Sequence, residues 1–232
     1  MLVYTIKELC RTCYTCVREC PARAIRIVGG QAEVIEERCI ACGNCTKVCS
    51  QGAKVYLSTT DRVLNLLSEE KEVAAIIAPS FPAEFFDIPD HRKLIGMIRA
   101  TGFKYIAEVS FGADLVAYRY KKLVEESREN FITSDCPSIV NYVKYYHPGL
   151  VDRLAPVVSP MVAMARVIHA KYGESTKIVF IGPCVAKKAE SSDVDEAITF
   201  RELRELLAQL GITSENVQPS DFDAPVGGRG AI

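Results

Sequence analysis

The sequence predicts two architectures in one chain: a small α+β domain over residues 1–58, then an α/β domain with parallel strands over residues 59–232. Eight of the ten cysteines fall within the first 49 positions, in two runs of identical spacing. Beyond residue 59, short apolar runs alternate with helical patterns, the order that a parallel sheet covered by helices requires.

The cysteine runs come first. Cys10, Cys13, Cys16 and Cys20 follow C-x2-C-x2-C-x3-C, and Cys39, Cys42, Cys45 and Cys49 repeat that spacing with a constant offset of 29 residues. The flanks repeat too, since PARAIRIV after Cys20 resembles SQGAKVYL after Cys49. Each copy reads as a cysteine loop, a short helical turn and a strand, and VGGQA (28–32) supplies a Gly-Gly hairpin turn. Three thiolates in one tight loop, with a fourth from elsewhere, suit a 4Fe-4S cube. Structural zinc prefers separated C-x2-C knuckles around one ion and fits less well, as do disulfides. Residues 1 to about 58 resemble a two-cluster bacterial ferredoxin domain, with the C-P ending kept at Cys20-Pro21 and replaced by Ser50 in the second copy. In that arrangement the fourth cysteine of each run serves the other cluster. The resemblance therefore implies Cys10, Cys13, Cys16 and Cys49 around one 4Fe-4S cluster, and Cys39, Cys42, Cys45 and Cys20 around a second.

Composition bounds the setting. The apolar fraction is 49% and the charged fraction 25%, as in a packed globular protein, and a formal net charge of -1 offers nothing to nucleic acid or an anionic membrane. No apolar run reaches the ~18 residues of a membrane span. Clustered cysteines without a signal-peptide pattern predict a reduced, cytoplasmic setting.

In the second domain, Thr60 and Asp61 are expected to cap a helix through RVLNLLSEEK. Strands are expected at VAAIIA (73–78), YIAEV (105–109), FIT (131–133) and IVFI (178–181). Helices are expected at HRKLIGMIRATG, ADLVAYRYKKLVEESREN, SIVNYVKYYH and PMVAMARVIHAKYG, and the last, FRELRELLAQLG, should end at Gly211. Ligands of parallel sheets bind beyond the carboxyl ends of strands, where Cys136 and Cys184 are expected. Pro137 suits the first position of a helix, which would place Cys136 at its N-terminus. On spacing alone, Cys136 and Cys184 read equally as ligands or as small buried hydrophobes. His91, His147 and His169 show no ligand spacing, Met161 and Met164 read as core, KKLVEESREN as a solvated helix face and SSDVDE as an acidic loop.

At TSDCP (Thr133–Pro137), FGADL (111–115) and GPCVAKKAE, with Pro183, Cys184, Lys187 and Glu190, the chain resembles the FeFe-hydrogenase large-subunit family. That family carries T-S-C-C-P, P-C-x-x-K-x-x-E and, later, E-x-x-x-C-x-x-x-C. The resemblance implies an α+β ferredoxin-like domain followed by an incomplete α/β hydrogenase-like domain. It implies Cys136 and Cys184 as ligands of a third 4Fe-4S cluster bridged to a diiron unit, Lys187 as a hydrogen-bond donor to a cyanide and Glu190 as part of a proton path.

Three departures accompany it. Asp135 stands where the family passes protons through cysteine, and its low ordinary pKa predicts altered relay unless burial raises it. No cysteine follows Cys184, and VGGRGAI resembles the middle of the family domain, so the third cluster requires a non-protein ligand or a continuation of the chain. Ile139 occupies a place where many family catalysts carry Trp. The expectation is an iron-sulfur redox protein, hydrogenase-like, passing electrons through two 4Fe-4S clusters to or from a hydrogenase-type site in hydrogen or redox sensing. Its partners would be a redox protein and a downstream signalling domain. The alternative is a non-catalytic electron carrier whose hydrogenase-like region is a docking scaffold.

Overall fold

A computed structural model describes residues 2–69, 72–223 and 225–227. In chain order the elements are β1 (Val3–Thr5), α1 (Thr15–Arg18), β2 (Ile25–Val28), β3 (Gln31–Val34), α2 (Asn44–Val48) and β4 (Lys54–Tyr56), then α3 (Thr60–Glu69), β5 (Val73–Ile77), α4 (Phe81–Glu84), α5 (His91–Ala100), β6 (Tyr105–Glu108) and α6 (Ser110–Glu126). They continue with α7 (Pro137–Tyr146), α8 (Pro160–Tyr172), β7 (Lys177–Gly182), β8 (Glu196–Thr199) and α9 (Phe200–Gln209). The chain divides into two compact units that do not follow chain order. The first combines Met1–Leu57 with Asn130–Pro156 and Cys184–Glu190; the second holds the remaining stretches.

The duplication sets the geometry of the first unit. β1 pairs antiparallel with β4 and β2 with β3, in registers related by the same 29-residue offset: Thr5 faces Lys54 as Val34 faces Ile25. Gly29 and Gly30 both have positive φ and close the two-residue turn between β2 and β3, as the Gly-Gly signal predicts. Among the described residues, the non-glycine positions at positive φ all lie in this repeat: Thr12, Tyr14, Arg23 and Ala41. They fall at matching positions, Thr12 with Ala41, Tyr14 with Gly43 and Arg23 with Gly52, so each copy makes the same left-handed turns around its cysteines.

The second unit holds a four-stranded sheet in the order β6-β5-β7-β8, parallel throughout. Every residue of the central β5 is buried, as an apolar run in a covered parallel strand should be. α8 packs on β5, α5 on β6, and α9 on β7 and β8. Met161, Met164 and Ile168 of α8 are fully buried, which places the predicted methionine pair in the core. α6 runs against α8 at Gly112, where a Cβ would stand 2.3 Å from the Pro160 carbonyl oxygen. α9 is held at its start by a capping box: Thr199 accepts from the Glu202 amide while Glu202 accepts from the Thr199 amide. Glu202 also accepts from the Thr59 amide, which ties the start of α3 to α9.

Several expectations need correction. FIT (131–133) is not a strand; Ile132 makes only an isolated parallel bridge to Leu154. β8 lies partly inside the stretch expected to be an acidic loop, because Asp195 accepts from the Ile178 amide and draws 196–199 onto the edge of β7. The connector helix begins at Thr60 itself, with Thr59 before it, and the end expected at 70–71 lies outside the described residues. α9 ends at Gln209, followed by Gly211 at φ 66, the C-terminal glycine that was expected. No helix among the described residues is long and apolar enough to cross a membrane.

Candidate iron-sulfur centres

The first unit folds around two partly open cavities, each lined by four cysteines. Cys10, Cys13, Cys16 and Cys49 line the first. Cys20, Cys39, Cys42 and Cys45 line the second. The structure therefore brings the fourth cysteine of each run to the other run's cavity. All ten cysteines are free thiols. No group of three or more His, Cys, Asp or Glu among the described residues is arranged to hold a single metal ion. Four thiols spread around a cavity suit a polynuclear cluster with sulfur on every corner, and the apolar surroundings (Ala22, Ala24 and Ile40 beside Cys20 and Cys39) suit one that excludes water.

The local backbone prepares the sulfurs. The Ala24 amide donates to the Cys20 sulfur at 3.2 Å. Hydrogen bonds with the backbone of Ala32 and Thr12 lower the Cys10 thiol, and the Thr15 hydroxyl and backbone lower that of Cys13. Burial pushes the Cys16 and Cys39 thiols up, and pushes Cys45 up to about 12. A group buried in this way is kept as thiolate by bound metal rather than by its own acidity.

Sequence reasoning missed Lys54. It is 3% exposed and lines the first cavity. Its Nζ donates to the Thr5 hydroxyl at 2.5 Å and to the Ala32 carbonyl at 3.1 Å, and Thr5 itself donates to that carbonyl. The signal was present in the repeat: the 29-residue offset aligns Lys54 with the buried Ile25, so a lysine stood where the other copy carries a core isoleucine.

Cys136 and Cys184 lie in this same unit. Cys136 is the N-cap of α7 with Pro137 at the first helical position, as predicted. Cys184 follows the end of β7 by two residues and precedes a 3-10 turn, Val185–Ala189, that packs against α7. Cys136 is exposed and Cys184 half-buried, so neither is a buried hydrophobe. The Lys187 Nζ donates to the Asp135 carbonyl at 3.0 Å and to the Glu190 carboxylate at 2.7 Å. Lys187 and Glu190 are only 13% and 12% exposed, so this lysine is not part of a solvated pair. The Asp135 Oδ1 is shielded from solvent. The structure thus brings Asp135, Lys187 and Glu190 together. Of the histidines, His91 and His147 are exposed, and His169 sits beside Glu174 and the Thr176 carbonyl.

Two contacts join this region to the second cavity. α7 ends at Tyr146, whose hydroxyl donates to the Ala22 carbonyl at 2.5 Å and lies 3.1 Å from the Arg38 carbonyl, beside Cys20 and Cys39. Gly43, between Cys42 and Cys45, faces Val185, which a Cβ there would touch at 3.4 Å, an ordinary van der Waals contact.

A duplicated ferredoxin-type fold with two four-cysteine cavities defines an iron-sulfur protein, and residues 2–50 match the 4Fe-4S dicluster domain, so two 4Fe-4S clusters are its cofactors. Residues 71–231 match the iron only hydrogenase large subunit, C-terminal domain, and the chain belongs to that family. Iron hydrogenase 1 of Clostridium pasteurianum is 30% identical over 208 residues, covering 75% of this chain and 36% of that protein. A probable cytosolic Fe-S cluster assembly factor of Drosophila ananassae is 23% identical over 236 residues, covering 83% of this chain and 49% of that protein. An apo FeFe-hydrogenase from Chlamydomonas reinhardtii shares the fold, with a TM-score of 0.61 and 23% identity over 74% of this chain and 52% of that one. The chain spans between about a third and a half of the length of these curated relatives.

Proposed function

We propose that this chain is a hydrogenase-like electron-transfer module. It passes single electrons between a redox partner protein and a hydrogenase-type site marked by Cys136 and Cys184, in the service of hydrogen or redox sensing. The observation that carries the proposal is the cross-supply of cysteines: Cys49 lines the first cavity and Cys20 the second. A 4Fe-4S cluster supplies reversible one-electron chemistry when bound. Cys10, Cys13, Cys16 and Cys49 would hold one, and Cys20, Cys39, Cys42 and Cys45 the other. The approach of Gly43 to Val185 supports reading the second cavity as the one next to the segment that follows Cys184. Lys187 holds the Asp135 carbonyl and the Glu190 carboxylate in one bonded group, a fit for proton movement beside Cys136. Asp135 in place of the family's cysteine favours slow turnover, hence sensing, over bulk catalysis.

The second reading is a two-cluster electron carrier on a hydrogenase-type scaffold, in which the eight cysteines lining the two cavities are the whole working site. Iron analysis separates the two. The chain and its Cys136→Ala/Cys184→Ala variant are reconstituted anaerobically with iron and sulfide. Iron above about eight per chain, with the surplus lost in the variant, supports the hydrogenase-type site. About eight in both supports the carrier. A variant of Cys10 or Cys39 that keeps every iron would overturn the ligand assignment common to both.

A further inference from the structure

The two cavities share one cysteine frame but differ in lining, with exposed Arg11 against Ile40 and Gln51 against Ala22, and most sharply at one buried wall. Ile25 and Val34, a cross-strand pair, stand against the second; Lys54 and Thr5, their counterparts under the 29-residue offset, stand against the first. An aliphatic pair in one sheet is thus a buried cation and its hydrogen-bonding hydroxyl in the other. Lys54 is 3% exposed, and its bonded partners among the described residues are the Thr5 hydroxyl and the Ala32 carbonyl, both neutral. A buried charge without a counter-charge is costly to hold. No carboxylate pairs with Lys54 among the described residues. The four sulfurs of Cys10, Cys13, Cys16 and Cys49 line the same cavity; the charge of Lys54 is felt at Cys10 and Cys16 there and also at Cys45 of the second cavity, so the bias it sets is the difference between these two pulls.

We propose that Lys54 makes the duplicated centres electrically inequivalent, raising the reduction potential at the Cys10–Cys13–Cys16–Cys49 cavity above that at the Cys20–Cys39–Cys42–Cys45 cavity. The inference rests on the cluster-ligand assignment proposed above. One electron arriving at either centre adds one negative charge and changes no covalent bond. A cation fixed at one wall favours the more negative state there, through a medium that screens far less than water. The Ile25–Val34 wall offers no such compensation. Lys54 therefore biases a single electron toward the first cavity, and a second electron is needed before the other centre is held reduced.

The test is an EPR-monitored redox titration of the whole reconstituted chain at fixed pH. Titanium(III) citrate supplies each electron and becomes titanium(IV). In Lys54→Met the higher of the two midpoints is expected to fall, narrowing the gap between them by about tenfold in reduction equilibrium constant, or about 59 mV for a one-electron couple. Lys54→Arg, which keeps the charge, should restore most of the gap, a rescue that a merely structural role would not produce. The Thr5→Val/Lys54→Ile double variant guards against misfolding, because Ile25 and Val34 already pack in that register in the other sheet. An unchanged gap in Lys54→Met and the double variant, with about eight irons retained, overturns the role of Lys54 and leaves the cluster assignment standing. A wild-type chain without two one-electron couples overturns both.

Discussion

The hydroxyl of Tyr146 donates to the carbonyl of Ala22, across 124 positions of sequence. This bond fastens the end of α7, the helix that Cys136 caps, to the backbone just after Cys20. Tyr142 stacks on Tyr146 at 5.1 Å, so the fastening is both polar and aromatic. Tyr146→Phe keeps the stacking and frees the Ala22 and Arg38 carbonyls. The expected cost is about 1 kcal/mol, read as a lower urea midpoint with an unchanged slope.

Glu202 carries a larger share of the second unit. It is buried, and its carboxylate accepts from the amides of Thr59 and Thr199 and from the Thr199 hydroxyl. Glu202→Ala leaves two buried amides without an acceptor and should destabilise the chain by about 2–4 kcal/mol. Thr199→Ala, which removes only the cap, should cost about 1 kcal/mol. Thermal denaturation of both variants checks the ranking; equal losses would mean that the reach of Glu202 to Thr59 contributes nothing.

Acidification tests the bridge at Arg204. Its guanidinium bonds Asp87 and Glu84 and lies over the Phe85 ring at 4.5 Å. The bond to Arg204 holds the Asp87 carboxyl below its ordinary range. A carboxyl whose folded pKa is depressed stabilises the fold above its unfolded pKa and loses that contribution as pH falls through the folded value. The difference in Tm between wild type and Arg204→Ala should therefore be constant near neutrality and shrink from about pH 4 downward.

Iron removal should affect the units unequally. The second unit owns a continuous core from Val63 to Val217, whereas the clusters of buried residues around the cysteines are no larger than Cys16, Ile25 and Ala32, or Ala22, Ala24 and Ile40. Bound metal must supply the packing that so few side chains cannot. Hydrogen exchange of chelator-treated protein is expected to show β1 to β4 exposed while β5 and β7 stay protected. Uniform loss of protection would show that the units unfold together.

Gly43 offers a local check on the repeat. Its φ of 74 opposes a side chain, while Tyr14 holds the matching position at φ 61 with half its surface exposed. Gly43→Ala should cost about 1–2 kcal/mol, and Tyr14→Gly should gain about 1 kcal/mol by relieving left-handed strain. Denaturant titrations of the two variants should move in opposite directions.

The cysteine cavities were legible in the sequence because eight ligand-type side chains stand at one repeated spacing, and the resemblance to two-cluster ferredoxins implies which fourth cysteine joins which run. β5, β6 and β7 were legible as apolar runs between helical patterns. β8 was not, because its buried core is the short Ala197–Ile198 run between polar ends, and what fixes it is the Asp195 bond to Ile178, a tertiary contact. FIT misled in the other direction: Ile132 bridges Leu154 instead of joining the sheet. Lys54 was hidden because a lysine in a strand usually marks the wet face, and only the alignment of the two copies places it on the dry one.

The patchwork make-up of the first unit has a consequence for how the protein is made. Its three pieces end at Leu57, Pro156 and Glu190. A ribosome adds roughly 5–20 residues each second, so the paired cysteine runs emerge many seconds before the 3-10 turn at Val185–Ala189 can close over Gly43. During that interval the nascent chain displays thiols without their cover. Delivery of iron and sulfide has its widest opening then, and the arrival of residues 184–190 sets when it narrows.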